Sequence, residues 1–472
     1  MALGGGEGNH PRRPVGVRAT IRRARWGGAA GGVAARMLEG VPSPVRREPL
    51  TIDARTQRET APDQSPGATS GPSPLAEVMR RIEGVVEGRA DDLLRWRRDV
   101  HQQPELCWTE HRTTELVAGV LSQAGAHVRR LPGTGALVDI GHPEPRTRIA
   151  LRADLDALPI EEATGLPFAS TTAGVCHACG HDVHTVGLLG AGLALHELSE
   201  ELVARQAAVR LVFQPAEETH PGGALKVMEH GGLDGVDRML AVHCDPSVDV
   251  GRVGLRVGPI TAASDEVRVV ITGRGGHTSR PHLTQDITYA LGKVVTEVPA
   301  ALTRRLDPRA AAILVWGVVR AGAAANVIPA RGEALGTLRM LDAELWDVVE
   351  PIFTETVQAV VAPYGVTATV QYTKGVPPVD NENASVVALS KAGMMLLGAG
   401  SVQPTKQSMG GEDLGWYLQQ VPGAMARLGT RAPGGPTYEL HQGDLVVDER
   451  SVLVGAKLLA GAVFTALGEM RP

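Results

Sequence analysis

The sequence predicts an α/β protein: a layered domain into which a smaller, ferredoxin-like α+β domain is inserted. Three observations carry that expectation. Short apolar runs at 148–152, 208–213 and 239–243 read as buried strands. Helical segments at 184–198 and 224–230 separate them, the alternation of a largely parallel sheet. From about residue 258 the pattern becomes β-α-β-β-α-β over roughly 115 residues, the split ferredoxin-like order.

The elements follow in chain order. Residues 75–102 suit a helix whose apolar positions include Val78, Ile82, Val86, Leu93, Leu94 and Trp96. A second helix is expected over 110–124, carrying Leu116, Val117, Val120 and Leu121. In the insert, 266–272 alternates through Val267, Val269 and Ile271 as a half-buried strand. A helix at 285–302, strands at 312–318 and 333–340, a helix at 343–361 and a strand at 367–372 complete it. Gly375-Val376-Pro377-Pro378 reads as a linker, and helices return at 385–397 and 450–467. The expected organisation is a layered domain from 76–257 and 376–472, with 258–375 inserted.

Composition narrows the function. The chain has 472 residues, formal net charge −5, 43% apolar and 21% charged residues, as soluble globular proteins do. Near-neutral charge and 3% aromatics argue against nucleic-acid binding by a basic face or by base stacking. Four cysteines are too few for a secreted disulfide framework, so reduced thiols in the cytoplasm or metal ligands are expected. No run of 18 or more apolar residues suggests a membrane span. Residues 1–75 differ: to Pro74 they carry 11 Arg against 6 acidic residues, with abundant Gly and Pro and no apolar signal core. They are expected to be a disordered basic extension.

The densest chemistry is Cys176-His177-Ala178-Cys179-Gly180-His181-Asp182-Val183-His184, six metal-binding side chains in nine positions. Imidazole and thiolate suit zinc and neighbouring transition metals. A structural zinc ribbon would need a second cysteine pair, and Cys107 and Cys244 are not spaced as one. After the strand at 208–213 come Glu217 and Glu218. Adjacent carboxylates point differently, so one can ligate a cation while its neighbour serves as general base. Asp154 and Asp156 follow the first strand, and His243 closes the third. Ligands of open α/β sheets gather beyond the carboxyl ends of strands, so this convergence predicts a metal-assisted hydrolase site. No G-x-S-x-G stretch offers a nucleophile elbow.

These residues resemble the amidohydrolase branch of the M20 zinc-peptidase family, which includes aminoacylase-like, hippurate and indoleacetyl-amino-acid hydrolases. The resemblance runs from about Leu93 to Val463 through RADLDALP at 152–159, HACGHDVH at 177–184, QPAEE at 214–218, GGHTSRPH at 275–282, NVIP at 326–329, GTLR at 336–339 and MGGED at 409–413. It implies a site for two divalent metals, zinc or manganese with cobalt or nickel as further candidates, on Cys179, His181, Glu218, His243 and His441. It implies Glu217 as general base and Asp156 as the acid orienting a metal-binding histidine. His277 would help hold the substrate from the partner subunit of a homodimer, and Asn326 and Arg339 would bind the oxyanion and the free carboxylate. Cys176, His177 and His184 are expected to support rather than ligate, and Cys107 and Cys244 to be ordinary buried thiols. The resemblance also implies a zinc-peptidase-like catalytic domain, with the insert acting as lid and dimerisation domain. The implied reaction is hydrolysis of the amide of a small N-acyl amino acid. Alternatives are a dipeptidase, an N-carbamoyl hydrolase or a deacetylase with the same site, or a non-catalytic metal-binding relative. Leu414, and the polar surround Gln442-Gly443-Asp444 after His441, depart from the family pattern near the expected acyl pocket.

Overall fold

The computed structural model describes residues 73–469. The expected basic extension therefore lies outside the described residues except at its end, where the helix Pro74–Gly88 already begins. Ser73 caps that helix by accepting the Ala76 N–H at 3.2 Å, with proline at the favoured first position. The single helix expected over 75–102 is two, Pro74–Gly88 and Ala90–Gln102. Gly88 is a poor helix former, and Arg89 leaves helical geometry at φ −111°, ψ 10°.

The larger sheet has eight strands. At its centre Ala207–Gln214, Thr147–Asp154, Arg238–Asp249 and Gly423–Arg431 lie side by side in that order, each parallel to the next. Their burial on both faces is what a parallel sheet between helical layers demands. All four carboxyl ends open on one edge. The antiparallel strands Ala136–Gly141 and Val128–Arg130 flank one side, and Val253–Leu255 and Val402–Pro404 the other.

The helix His181–Glu197 is buried from His181 to Leu195 and packs against both the sheet and the helix Arg450–Glu469. Gly192 permits that approach, because a Cβ there would stand 2.4 Å from Leu211 Cδ1. The helix Arg450–Glu469 is apolar enough to cross a membrane by length and composition, with mean hydropathy 1.7, yet 78% of its apolar 18-residue window is buried inside the fold. It is a core helix, packed on Asn383–Leu397 as well as on His181–Glu197.

The smaller sheet takes its strands in the order Ile313–Ala321, Arg331–Met340, Ala263–Thr272 and Thr367–Val376, all antiparallel. In chain order that is second, third, first, fourth, the ferredoxin-like arrangement. Buried and less buried positions alternate along Arg331–Met340, so one face is covered. The helices Ile287–Arg305 and Ala343–Val361 cover it, closing a core around Val267, Val269, Val294, Trp346 and Phe353. Gly258–Pro259 pairs with Asp380–Asn381, so the two crossings between the sheets run together.

Candidate metal centre

The centre is built at the carboxyl edge of the parallel strands. The helix His181–Glu197 begins there after Gly180, whose φ of 84° is left-handed; a Cβ at Gly180 would meet Cys244 Sγ at 2.8 Å. The turn after Ala207–Gln214 is shaped by Ala216, also left-handed at φ 56°. Glu110 accepts the Ala216 N–H at 2.8 Å and is itself held by Thr134 Oγ1 at 2.7 Å. This turn presents Glu217 and Glu218 to the same edge.

Hydrogen bonds settle the histidine tautomers. His181 Nδ1 donates to the Asp156 carbonyl at 2.9 Å, leaving Nε2 facing the cluster. His243 Nδ1 donates to the Cys244 carbonyl at 2.8 Å, leaving its Nε2 3.6 Å from Cys179 Sγ. His441 Nε2 lies 3.3 Å from Glu218 Oε1, and its backbone N–H donates to the Ala178 carbonyl. Cys179, His181 and His243 each bring a ligand atom within 4.8 Å of one another, as do Cys179, Glu218 and His441. Asp156 ties the parts together: Oδ2 accepts the Glu218 N–H at 2.9 Å and the Cys107 thiol at 3.1 Å. Cys107 is therefore partnered with the site, while Cys244 is fully buried beside Gly180.

These residues fit metal ions. Buried His181 Nε2 and Glu218 Oε1 have no hydrogen-bond partner, an uncompensated cost that a cation would remove. Burial would lower the His181 pKa, but Asp154 and Cys179 outweigh it and hold it well above the usual range, so the pocket favours positive charge. His243 is pushed well down by burial and by Arg427, which keeps its ring neutral as a ligand must be. Burial drives the Cys179 thiol well up, which opposes its acting as a free nucleophilic thiolate.

Glu217 stands among acids, its carboxylate within 4.8 Å of those of Glu412 and Asp413. Burial first, then Glu412 and Glu218, push its pKa well up. The buried Arg152 organises this corner. Nη1 reaches Asp154 Oδ2 at 2.6 Å, Nη2 reaches Asp413 Oδ1 at 2.6 Å and Glu412 Oε1 at 3.0 Å, and Nε donates to Gln214 Oε1 at 3.0 Å. Arg152, Glu412 and Asp413 lie inside the 152–159 and 409–413 motifs, which assign them no part; only the fold brings them to Glu217.

A cleft of about 360 Å³ opens over the cluster, lined by Glu217, Glu218 and His243 from the larger sheet and by Ser264 and Arg339 from the smaller. Arg339 donates to the Met409 carbonyl at 2.7 Å. His277 and Asn326 are not in that lining: both are exposed, and the Thr278 N–H donates to the Asn326 carbonyl at 3.2 Å. His277 Nδ1 instead takes Ser279, at 3.1 Å from its N–H and 2.8 Å from Oγ. Cys176 is buried, and His177 lies buried with neither ring nitrogen partnered.

Known proteins resemble this chain in sequence and in fold. The family model described as peptidase family M20/M25/M40 matches residues 150–465. A Rhodococcus jostii (strain RHA1) protein named as a glutamate–cysteine ligase is 47% identical over 78% of this chain, which spans 46% of that protein's length. The N-acetyl-L-cysteine deacetylase of Bacillus subtilis (strain 168) is 36% identical over 83% of this chain and 89% of its own. The crystal structure of a Bacillus subtilis dinuclear metal-binding peptidase superposes with a TM-score of 0.71 at 32% identity, covering 81% of this chain and 99% of that one. The motifs, the sheet and the matched residues lead to one conclusion: this chain belongs to peptidase family M20/M25/M40.

Proposed function

We propose that the chain is a metal-dependent amidohydrolase that cleaves the amide bond of N-acyl amino acids. The observation that carries this is the pairing of two tautomer-fixed imidazoles, His181 and His243, with Cys179, Glu218 and His441, beside a carboxyl group kept basic at Glu217. Kinship with a deacetylase of an N-acetyl amino acid supports the substrate class.

Cys179, His181, Glu218, His243 and His441 would hold two divalent ions, zinc or manganese first among the candidates. Such ions, when bound, supply Lewis-acid activation of water and of the amide carbonyl. Glu217 takes the proton of the attacking water and returns it to the amide nitrogen, so the C–N bond breaks to a carboxylate and an amine. Its acidic neighbours suit both halves, because a carboxyl with a raised pKa accepts the proton more readily and keeps it for the leaving group. Asp156 holds His181 and Glu218 in place. Arg339 offers a guanidinium fork to the substrate carboxylate.

His277 and Asn326 lie outside this cleft lining, which supports a homodimer in which the partner's copies complete it. In that reading 258–375 serve as lid and dimerisation domain on the layered body of 76–257 and 376–472. Four free thiols among the described residues suit a reducing cytoplasm.

The test is amine release from acetyl, benzoyl, long-chain and indoleacetyl amino acids, with dipeptides and N-carbamoyl amino acids beside them. Metal-stripped enzyme is compared with samples reloaded with Zn, Mn, Co or Ni. Metal-restored turnover of N-acyl amino acids is expected. Two bound metals with no turnover across the panel would overturn the reading.

A further inference from the structure

The strand Gly423–Arg431 places Arg427 directly beside His243 in parallel register. Neighbours in register project from the same face of a sheet, so Arg427 enters the cleft next to a proposed metal ligand. It is 8% exposed. A guanidinium keeps its proton under all ordinary conditions, so a buried one calls for an answering anion. Among the described residues no carboxylate lies within 4.0 Å of it and no group hydrogen-bonds it. Burial opposes its charge, and Asp245 and Glu412 favour it only from farther off, each with one carboxylate oxygen engaged elsewhere. Asp245 Oδ1 accepts Ser247 N–H and Oγ at 2.9 and 2.6 Å; Glu412 Oε1 faces Arg152 and accepts the Leu414 N–H at 2.9 Å.

A second cleft of about 750 Å³ adjoins the first, and the two share Ser408, Arg427 and Leu440. It is polar, lined by Lys406 and Gln407 as well as by Asp245 and Glu439. Arg427 thus stands where a substrate would pass from the metal cluster into further space. Arg339 reaches the first cleft from the other sheet.

We propose that Arg427 determines specificity by pairing with a carboxylate on the acyl portion of the substrate, so that the preferred substrates are amino acids N-acylated by a dicarboxylic acid. The assignment to the acyl side rests on the amidohydrolase reading. With the amino acid's carboxylate on Arg339 and the amide at Glu217, the acyl chain runs toward Arg427 and the second cleft. The planar fork of arginine suits a carboxylate in two-point contact.

The test compares the N-succinyl and N-butyryl forms of one amino acid, equal in carbon number and differing in the terminal carboxylate, on metal-loaded enzyme. The wild type should favour the succinyl form, chiefly through KM. In Arg427→Gln the succinyl-to-butyryl ratio of kcat/KM should fall about 10–100-fold, the weight of a charge-assisted hydrogen bond. Arg427→Lys should recover part of it. Because the guanidinium has no partner in the protein, Arg427→Met should melt no lower than wild type. Turnover of both forms without a succinyl preference, or a preference that Arg427→Gln leaves intact, overturns the assignment while the amidohydrolase reading stands. A lowered melting temperature with equal losses on both substrates makes Arg427 structural and also overturns it. No turnover of any N-acyl amino acid overturns the amidohydrolase reading and the acyl assignment with it.

Discussion

His184 Nδ1 lies 2.6 Å from Asp154 Oδ1, while its other ring nitrogen receives the Cys244 backbone N–H at 2.8 Å. A backbone N–H can only donate, so Nε2 is the acceptor and Nδ1 carries the proton. Neither nitrogen keeps a lone pair for a cation. His184 thus braces the strand ends bearing Asp154 and His243, although its sequence neighbourhood matches that of a ligand. His184→Ala should retain the wild-type number of bound metals by elemental analysis. It should lose about 1–3 kcal/mol of stability for each buried group left unpaired, read by denaturant unfolding. His181→Ala should instead lose metal.

Adjacent carboxylates should separate in the same way. Glu217→Gln keeps the shape and removes the base, so kcat should fall about 10²–10⁴-fold with metal content retained. Glu218→Gln should lower metal occupancy, because Glu218 Oε1 is the buried oxygen facing His181 and His441 at 3.7 and 3.3 Å. Elemental analysis beside steady-state kinetics on both variants checks this. Full activity in Glu217→Gln would remove the base from the proposed mechanism.

A metal site was legible because six potential metal-binding residues, Cys176, His177, Cys179, His181, Asp182 and His184, crowd nine positions, and because three strands announce themselves by apolar runs ending in acid or histidine; the choice of ligands came from the family resemblance. The fourth parallel strand, Gly423–Arg431, was not legible. Its Gly-Ala-Met-Ala start lacks the β-branched residues that mark a strand, and it is buried by position in the sheet rather than by pattern. With it went Arg427. Glu412 and Asp413 were visible as a motif, but their proximity to Glu217 depends on long-range topology that local periodicity does not carry. The short flanking strand Val128–Arg130 was missed for the opposite reason, since its exposed arginines look like loop.

Arg152 joins three elements of the site through Asp154, Gln214 and the Glu412–Asp413 pair. It is 1% exposed, so its carboxylate partners would be stranded without it. Arg152→Met should cost about 3–5 kcal/mol of stability, the penalty for breaking a buried ion pair by removing one partner. Arg152→Lys keeps the charge and loses the fork that serves several acceptors at once, so it should recover little. Chemical denaturation midpoints of the three proteins decide it, and a Lys variant as stable as wild type would show that charge alone suffices.

Behind the metal centre, His101 faces Asp182 Oδ2 through Nδ1 at 2.8 Å and Glu162 Oε1 through Nε2 at 3.2 Å. Two carboxylates at two nitrogens call for an imidazolium. Burial alone would lower the His101 pKa, but Asp182 and Glu162 outweigh it and raise it above its ordinary value. Burial would likewise raise Glu162, but His101, Thr164 and the Ser170 N–H bring it down to about 2. The signs follow from linkage. The raised His101 contributes stability that is full below its unfolded pKa of about 6.5 and is lost as pH rises through the higher folded value. The depressed Glu162 contributes stability that is full above its unfolded pKa of about 4.3 and is lost as pH falls toward about 2. The pair therefore stabilises most between about pH 4.3 and 6.5. His101→Gln cannot carry the charge, so the stability gap between wild type and variant should be widest in that window and narrow on either side. Unfolding midpoints of both proteins from pH 4 to 9 measure it, and a gap that stays constant or widens above neutrality would mean that His101 is neutral in the folded protein.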